Sequence, residues 1–163
     1  MTVMTKRTLL ATSAAVTATA VVGGLGTDPR SRWYRDLDKP RWQPPAWVFG
    51  PAWSTLYALI AVGTARALDR AEHPAERQSL QRALGANLAL NAGWNWLFFR
   101  ARRPDLALGE VLLLEASTLD LARRAGRSDG LGGQLLWPYA AWVAFATALN
   151  AAIARRNRAR SAR

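Results

Sequence analysis

Five apolar segments, each close to the length of a membrane-crossing helix, constrain the fold of this chain more than any other feature. They cover residues 8–26, 45–68, 80–99, 104–121 and 131–154. A helix needs about 20 such residues to cross a hydrocarbon core about 30 Å thick. The connections are short and rich in Arg, Asp, Gly and Pro, and no Gly/Ser linker divides the chain. These features predict an all-α fold: an integral membrane bundle of five transmembrane helices, one domain over residues 1–163, with the lipid bilayer as its surroundings.

Two segments admit another reading. Lys6-Arg7, the apolar run after them and Ala18-Thr19-Ala20 also resemble a cleavable signal peptide. The fourth segment carries Glu110, Glu115 and Asp120, which suits a water-soluble amphipathic helix as well. At 100° per residue Glu115 points about 140° away from each of the other two, so the three share no one face. A charge at mid-membrane costs at least about 2.5 kcal/mol. Glu115, near the middle, is therefore expected to face the interior, pair with a polar group or carry a proton. Glu110 and Asp120, near the ends, are expected to reach water.

The charge is one-sided: 22 Lys and Arg against 11 Asp and Glu, a net +11. Such a balance invites a nucleic-acid partner, but the basic residues gather at segment ends, as in Arg100, Arg102, Arg103 and Arg123, Arg124, Arg127. That is a juxtamembrane pattern, and no nucleic acid is expected. With five spans the termini lie on opposite sides. Lys6, Arg7, Arg70, Arg77, Arg123, Arg124 and Arg127 fall on one side. Thirteen others, from the first and third connections and the C-terminal tail, fall on the opposite side. The positive-inside rule then places the C-terminus in the cytoplasm. Plentiful Ala and Arg with two lysines suggest a bacterial cell membrane.

Chemistry-bearing residues are scarce. There is no Cys, and the lone His73 sits in a polar stretch. Lys6 and Lys39 both lie outside the apolar segments, which excludes a retinal-type Schiff base within a span. No metal cluster, hydrolase triad or phosphate loop is present, so no metal or cofactor is expected.

What the spans do carry is aromatic and amide. The third holds Asn87, Asn91 and Asn95 at every fourth residue, one amide stripe; Gly85, Ala89 and Gly93 form a small-residue stripe on the opposite face. A small stripe lets another helix approach closely, within the bundle or across a dimer. An amide stripe in hydrocarbon needs partners, and those are either neighbouring helices or a ligand. In the second segment Pro51 predicts a kink, and Trp53, Tyr57 and Ile60 share a face. The fifth repeats the device: Pro138, then Trp142, Ala146 and Leu149, with Asn150 beside them. These stripes are either core packing or the wall of a pocket for a flat apolar molecule, held by stacking and an indole or amide N–H. Of eight tryptophans, Trp53 and Trp142 look deeper than an interfacial belt requires. Trp33, Trp42, Trp47 and Trp137 suit an interface or loop, and Trp94 and Trp96 flank the amide stripe.

Three runs then carry a resemblance. WYRDLDKPRWQPPAWVFGPAWSTLY, LALNAGWNWLFF and PYAAWVAFATALN, in this order and spacing, resemble the TspO/MBR family of tryptophan-rich sensory and translocator proteins. The resemblance implies a five-helix membrane bundle, commonly a homodimer, with a ligand pocket under the long first connection. It implies binding of porphyrins, sterols or synthetic isoquinoline and benzodiazepine drugs, and it favours a retained first helix. Carried over, Trp53, Asn91 and Trp142 line the pocket, with Ala146 and Leu149 one and two turns on. Tyr34, Tyr57, Asn87, Trp94 and Phe98 complete the candidate set, and Gly85, Ala89 and Gly93 are the candidate dimer or packing positions. Protoporphyrin IX is favoured over haem, because no span offers His or Cys as an axial ligand. The sterol motif of animal members requires a Tyr after the Leu-Asn pair; here Leu149-Asn150 is followed by Ala151-Ala152. The functional expectation is a porphyrin sensor or carrier. Its alternatives are a light- and oxygen-dependent porphyrin-degrading enzyme using Trp53 and Trp142, and a bundle whose Trp and Asn residues only pack.

Overall fold

A computed structural model describes residues 5–161, with side chains to residue 158. Five long helices run through it: α1 (Lys6–Gly26), α3 (Ala46–Arg70), α4 (Pro74–Asn95), α5 (Pro104–Ser128) and α7 (Trp137–Ser161). Two short ones join them, α2 (Arg32–Asp36) after α1 and α6 (Gly130–Gln134) before α7. The starts follow local chemistry. Pro74 and Pro104 stand at the first positions of α4 and α5, where a missing N–H costs nothing. The Ser31 hydroxyl accepts from Tyr34 N to open α2, and the Asp129 carboxylate accepts from Gly132 N to open α6. α4 closes in a π-helical turn, Trp96–Arg100.

The side chains are arranged opposite to those of a water-soluble bundle. The buried face of α1 is Thr8, Thr12, Val16, Thr19, Gly23 and Gly26, while Leu10 and Leu25 are 69% and 62% exposed. Asn87, Asn91, Asn150, Thr64 and Thr118 are buried, and Leu113 and Trp47 are exposed. Water would favour the reverse; lipid favours an apolar exterior around hydrogen-bonded amides. α1, α3 and the α6–α7 stretch Gly130–Arg158 are long and apolar enough to cross a membrane by length and composition. α4 and α5 fall outside that measure, being richer in Arg, Glu and Asn.

α1 lies against α3 and α4, α4 against α5, and α5 against α7. Thr12 donates to Ala61 O across the α1–α3 contact, and Trp96 Nε1 and Arg100 donate to Val22 O and Leu25 O at the C-terminal end of α1. α1 is thus an integral part of the bundle. α6 is wedged between α3 and α5. A Cβ on Gly63 would stand 2.8 Å from Gly132 O, and one on Gly133 would stand 2.5 Å from Gly126 Cα, so only hydrogen side chains permit this approach.

The structure corrects several sequence expectations. α4 begins at Pro74 and α5 runs to Ser128, past the apolar segments, because solvated polar turns continue a helix that the apolar stretch anchors. The fifth segment is not one kinked helix: a turn at residues 135–136 separates α6 from α7, and Pro138 lies in the first turn of α7. Pro51 sits inside α3. Glu110 does not reach water. Both its carboxylate oxygens are buried with no hydrogen-bond partner among the described residues, and Oε1 lies 3.9 Å from where a Cβ on Gly93 would stand. Its helix face is turned toward α4. Glu115 is half-buried, with Oε2 likewise unpartnered. Gly85 and Ala89 are exposed, so this part of the small stripe serves no contact within the bundle; Gly93 is half-buried.

Candidate functional site

The connection between α1 and α3 folds over one end of the bundle and roofs a cavity of about 220 Å³. Its roof is held at both ends. At the α1 end, Thr27 Oγ1 stands 2.9 Å from both Asn95 Oδ1 and Gly23 O, and its one hydrogen serves one of them at a time. At the far end, Asp38 and Asn157 of α7 form a two-bond clamp. Asp38 N donates to Asn157 Oδ1 and Asn157 Nδ2 donates to Asp38 O, both at 3.1 Å. Arg156 adds an ion pair to Asp38 at 3.3 Å. Between them the roof is aromatic. Trp33 meets Phe98 edge-on at 5.8 Å, and Tyr34 meets Phe99 at 5.2 Å. The Tyr34 hydroxyl accepts from Gln43 Nε2, and the Lys39 ammonium sits 4.5 Å over the Tyr34 ring. Burial pushes the Tyr34 phenol above its ordinary pKa, with the Gln43 hydrogen bond acting the other way.

The wall is built by α3, α4, α5 and α7. Of the candidate residues, Tyr34, Trp53, Asn91, Trp94, Phe98, Trp142, Ala146 and Leu149 surround the cavity. Trp53 and Trp142 stand nearly perpendicular, 6.3 Å apart at 81°. Their geometry follows from packing: Trp53 rests on Tyr57 at 5.3 Å, and Trp142 on Phe49 at 5.9 Å and Phe145 at 5.4 Å. Trp94 stacks on Phe98 at 5.0 Å and donates from Nε1 to Asn150 Oδ1, while Asn150 Nδ2 donates to Pro104 O. The indole N–H groups of Trp53 and Trp142 make no hydrogen bond among the described residues.

Tyr57 and Asn87 stand behind the wall rather than on it. The Tyr57 hydroxyl donates to Asn91 Oδ1 at 2.8 Å, and Asn87 is fully buried between α4, α5 and α7. The amide stripe therefore divides: Asn87 is interior, Asn91 is wall, and Asn95 is at the roof seam. Sequence reasoning passed over Phe49, Phe99, Val111, Leu114 and Val143, which also line the cavity. Val111 and Leu114 come from the fourth segment, whose three acids mask its apolar face in the sequence. Phe49 was signalled by its place one turn before Trp53. Among the described residues no group of three His, Cys, Asp or Glu side chains could hold a metal ion. The wall can stack a flat apolar ring and offer it N–H groups.

A sequence model of the TspO/MBR family matches residues 11–156. The human translocator protein is 37% identical over 127 residues, 77% of this chain and 75% of that protein. A tryptophan-rich protein TspO of Archaeoglobus fulgidus is 33% identical over 146 residues, 89% of this chain and 94% of that protein. A tryptophan-rich sensory protein of Cereibacter sphaeroides is 35% identical over 125 residues, 77% of each chain.

Proposed function

Because the chain belongs to the TspO/MBR family of integral membrane proteins, we propose that it binds a porphyrin, such as protoporphyrin IX, as a sensor or carrier. The observation that carries this reading is the roofed aromatic cavity, walled by the perpendicular rings of Trp53 and Trp142, whose N–H groups have no partner among the described residues. A flat ring stacked on one indole meets the edge of the other. At about 220 Å³ the cavity is below the ~300–1,000 Å³ of pockets that enclose drug-sized ligands. A tetrapyrrole therefore displaces the roof on binding, and that displacement is the sensory output. Trp53, Asn91, Trp94, Phe98, Trp142, Ala146, Leu149 and Tyr34 contact the ligand, with Tyr57 and Asn87 supporting them.

The protein is one domain of five membrane spans in a bacterial cell membrane, with its C-terminus in the cytoplasm. The excess of Arg beside the roof and at the end of α7 supports this orientation, and reporter fusions to the C-terminus read it. It acts as a homodimer through Gly85, Ala89 and Gly93.

Titration of the detergent-solubilised protein with protoporphyrin IX, followed by Trp fluorescence, tests the reading. Saturable quenching is expected, with affinity lowered by about tenfold in Trp53→Phe/Trp142→Phe, as loss of two N–H contacts implies. Quenching that never saturates, or that the double variant leaves unchanged, contradicts it. Turnover of bound porphyrin in light and oxygen is the second reading, favoured by the oxidisable rings of Tyr57, Trp53 and Trp142 in series. Under illumination it requires loss of porphyrin absorbance with product formation; a spectrum that merely shifts removes it.

A further inference from the structure

Behind the cavity wall a single chain of hydrogen bonds crosses the bundle, and its direction is fixed from one end. Thr118 of α5 has one hydroxyl hydrogen, donated to Leu114 O at 2.8 Å, an oxygen that can only accept. Thr118 Oγ1 must then accept from Asn87, and Asn87 Nδ2 stands 2.9 Å away. That turns Asn87 Oδ1 toward Tyr139, whose hydroxyl donates to it at 3.1 Å. With its one hydrogen spent, Tyr139 accepts from Asn91 Nδ2 at 2.9 Å. Asn91 Oδ1 in turn accepts from Tyr57 at 2.8 Å. Asn87, Thr118 and Tyr139 are each 0% exposed, so bulk water cannot reverse the links among them.

The consequence appears at Asn91, the one member of this chain on the cavity wall. Its oxygen is taken and one N–H is spent on Tyr139, which leaves its second N–H. The remaining polar wall atoms sort the same way. The oxygen of Asn150 already accepts from Trp94, and that of Asn95 stands 2.9 Å from the Thr27 hydroxyl, whose one hydrogen it shares with Gly23 O. The Trp53 and Trp142 indole N–H groups are uncommitted among the described residues. The uncommitted hydrogens of the wall are thus those of Asn91 Nδ2 and the two indoles, while the amide oxygens of Asn91 and Asn150 each already hold a hydrogen bond.

We propose that the Thr118–Asn87–Tyr139–Asn91 chain orients the cavity as a donor site, selecting flat ligands that carry carbonyl or carboxylate oxygens over equally apolar ligands without them. This rests on the porphyrin-binding reading for its ligand class, while the direction of the chain stands without it. Thr118 and Tyr139 are positioning residues, outside the cavity and acting through Asn91.

The test compares three porphyrins on the full-length protein: protoporphyrin IX, its dimethyl ester, which keeps carbonyl acceptors without charge, and etioporphyrin, which has only alkyl groups. The acid and the ester are expected to bind alike and etioporphyrin about tenfold more weakly, since a site built for hydrogen bonds rejects a ligand that leaves them unmade. In Thr118→Val and in Tyr139→Phe the preference should shrink toward equality, and Thr118→Ser should restore it. Equal binding of all three by the wild type overturns the proposal, and so does a preference that survives in both variants. If no porphyrin binds, the functional reading has failed and the chain is read directly by NMR of ¹⁵N-Asn-labelled protein. Asn91 side-chain amide signals that shift in Thr118→Val but not in Thr118→Ser uphold the chain. Signals indifferent to Thr118 overturn it.

Discussion

At the residue scale, spacing told which face a side chain takes but not how deep it lies or whom it meets. The four-residue recurrence of Asn87, Asn91 and Asn95 placed all three on one stripe. Their separate roles depend on Thr118, Tyr139 and Thr27, which arrive from other segments. Glu110 departs from the expectation for the same reason: distance from a segment end does not decide whether a carboxylate faces water or a neighbouring helix. The small stripe was legible as a contact face, and the structure shows that its Gly85 and Ala89 positions are left open within the bundle. A Gly85→Leu/Ala89→Leu variant should therefore keep its thermal stability, because nothing lies within 4 Å of a Cβ on Gly85. It should shift from dimer to monomer in light scattering of the detergent-solubilised protein. A variant that stays dimeric removes this stripe from the interface.

At the scale of elements, apolar windows found the five long helices but not their ends. Polar turns such as residues 74–79 are helical because they extend an anchored helix, which hydropathy does not record. The break between α6 and α7 was hidden because residues 131–154 carry no charged residue to mark it. It follows from Gly132 and Gly133, which let α6 press against Gly63 and Gly126. The roof was expected over the pocket from the family resemblance alone; its fastening to α7 had no signal, since Asp38 and Asn157 lie 119 positions apart. Breaking this clamp in Asn157→Ala removes two hydrogen bonds, each worth about 0.5–1.5 kcal/mol. Both association and dissociation of protoporphyrin IX should quicken, by about tenfold, with little change in Kd. A stopped-flow result in which dissociation alone quickens would show that Asn157 holds ligand rather than the roof.

At the scale of the molecule, the arrangement is apolar outside and amide-lined within, and the sequence carried most of it. Trp53, Trp142 and the amide stripe were legible because an indole or an amide deep in a span demands a reason. The volume and closure of the cavity were not legible, because they depend on how α3, α4, α5 and α7 meet beneath a roof set by tertiary contacts. The central claim is that this cavity is where the flat ligand sits, with the roof displaced to admit it. A structure of the protein in lipid nanodiscs with protoporphyrin IX bound tests it most directly. The account predicts the macrocycle between Trp53 and Trp142, an oxygen of the ligand within hydrogen-bonding distance of Asn91 Nδ2, and residues 27–45 shifted outward. A macrocycle lying on the lipid-facing surface, with the cavity still closed beneath an unmoved roof, would contradict it.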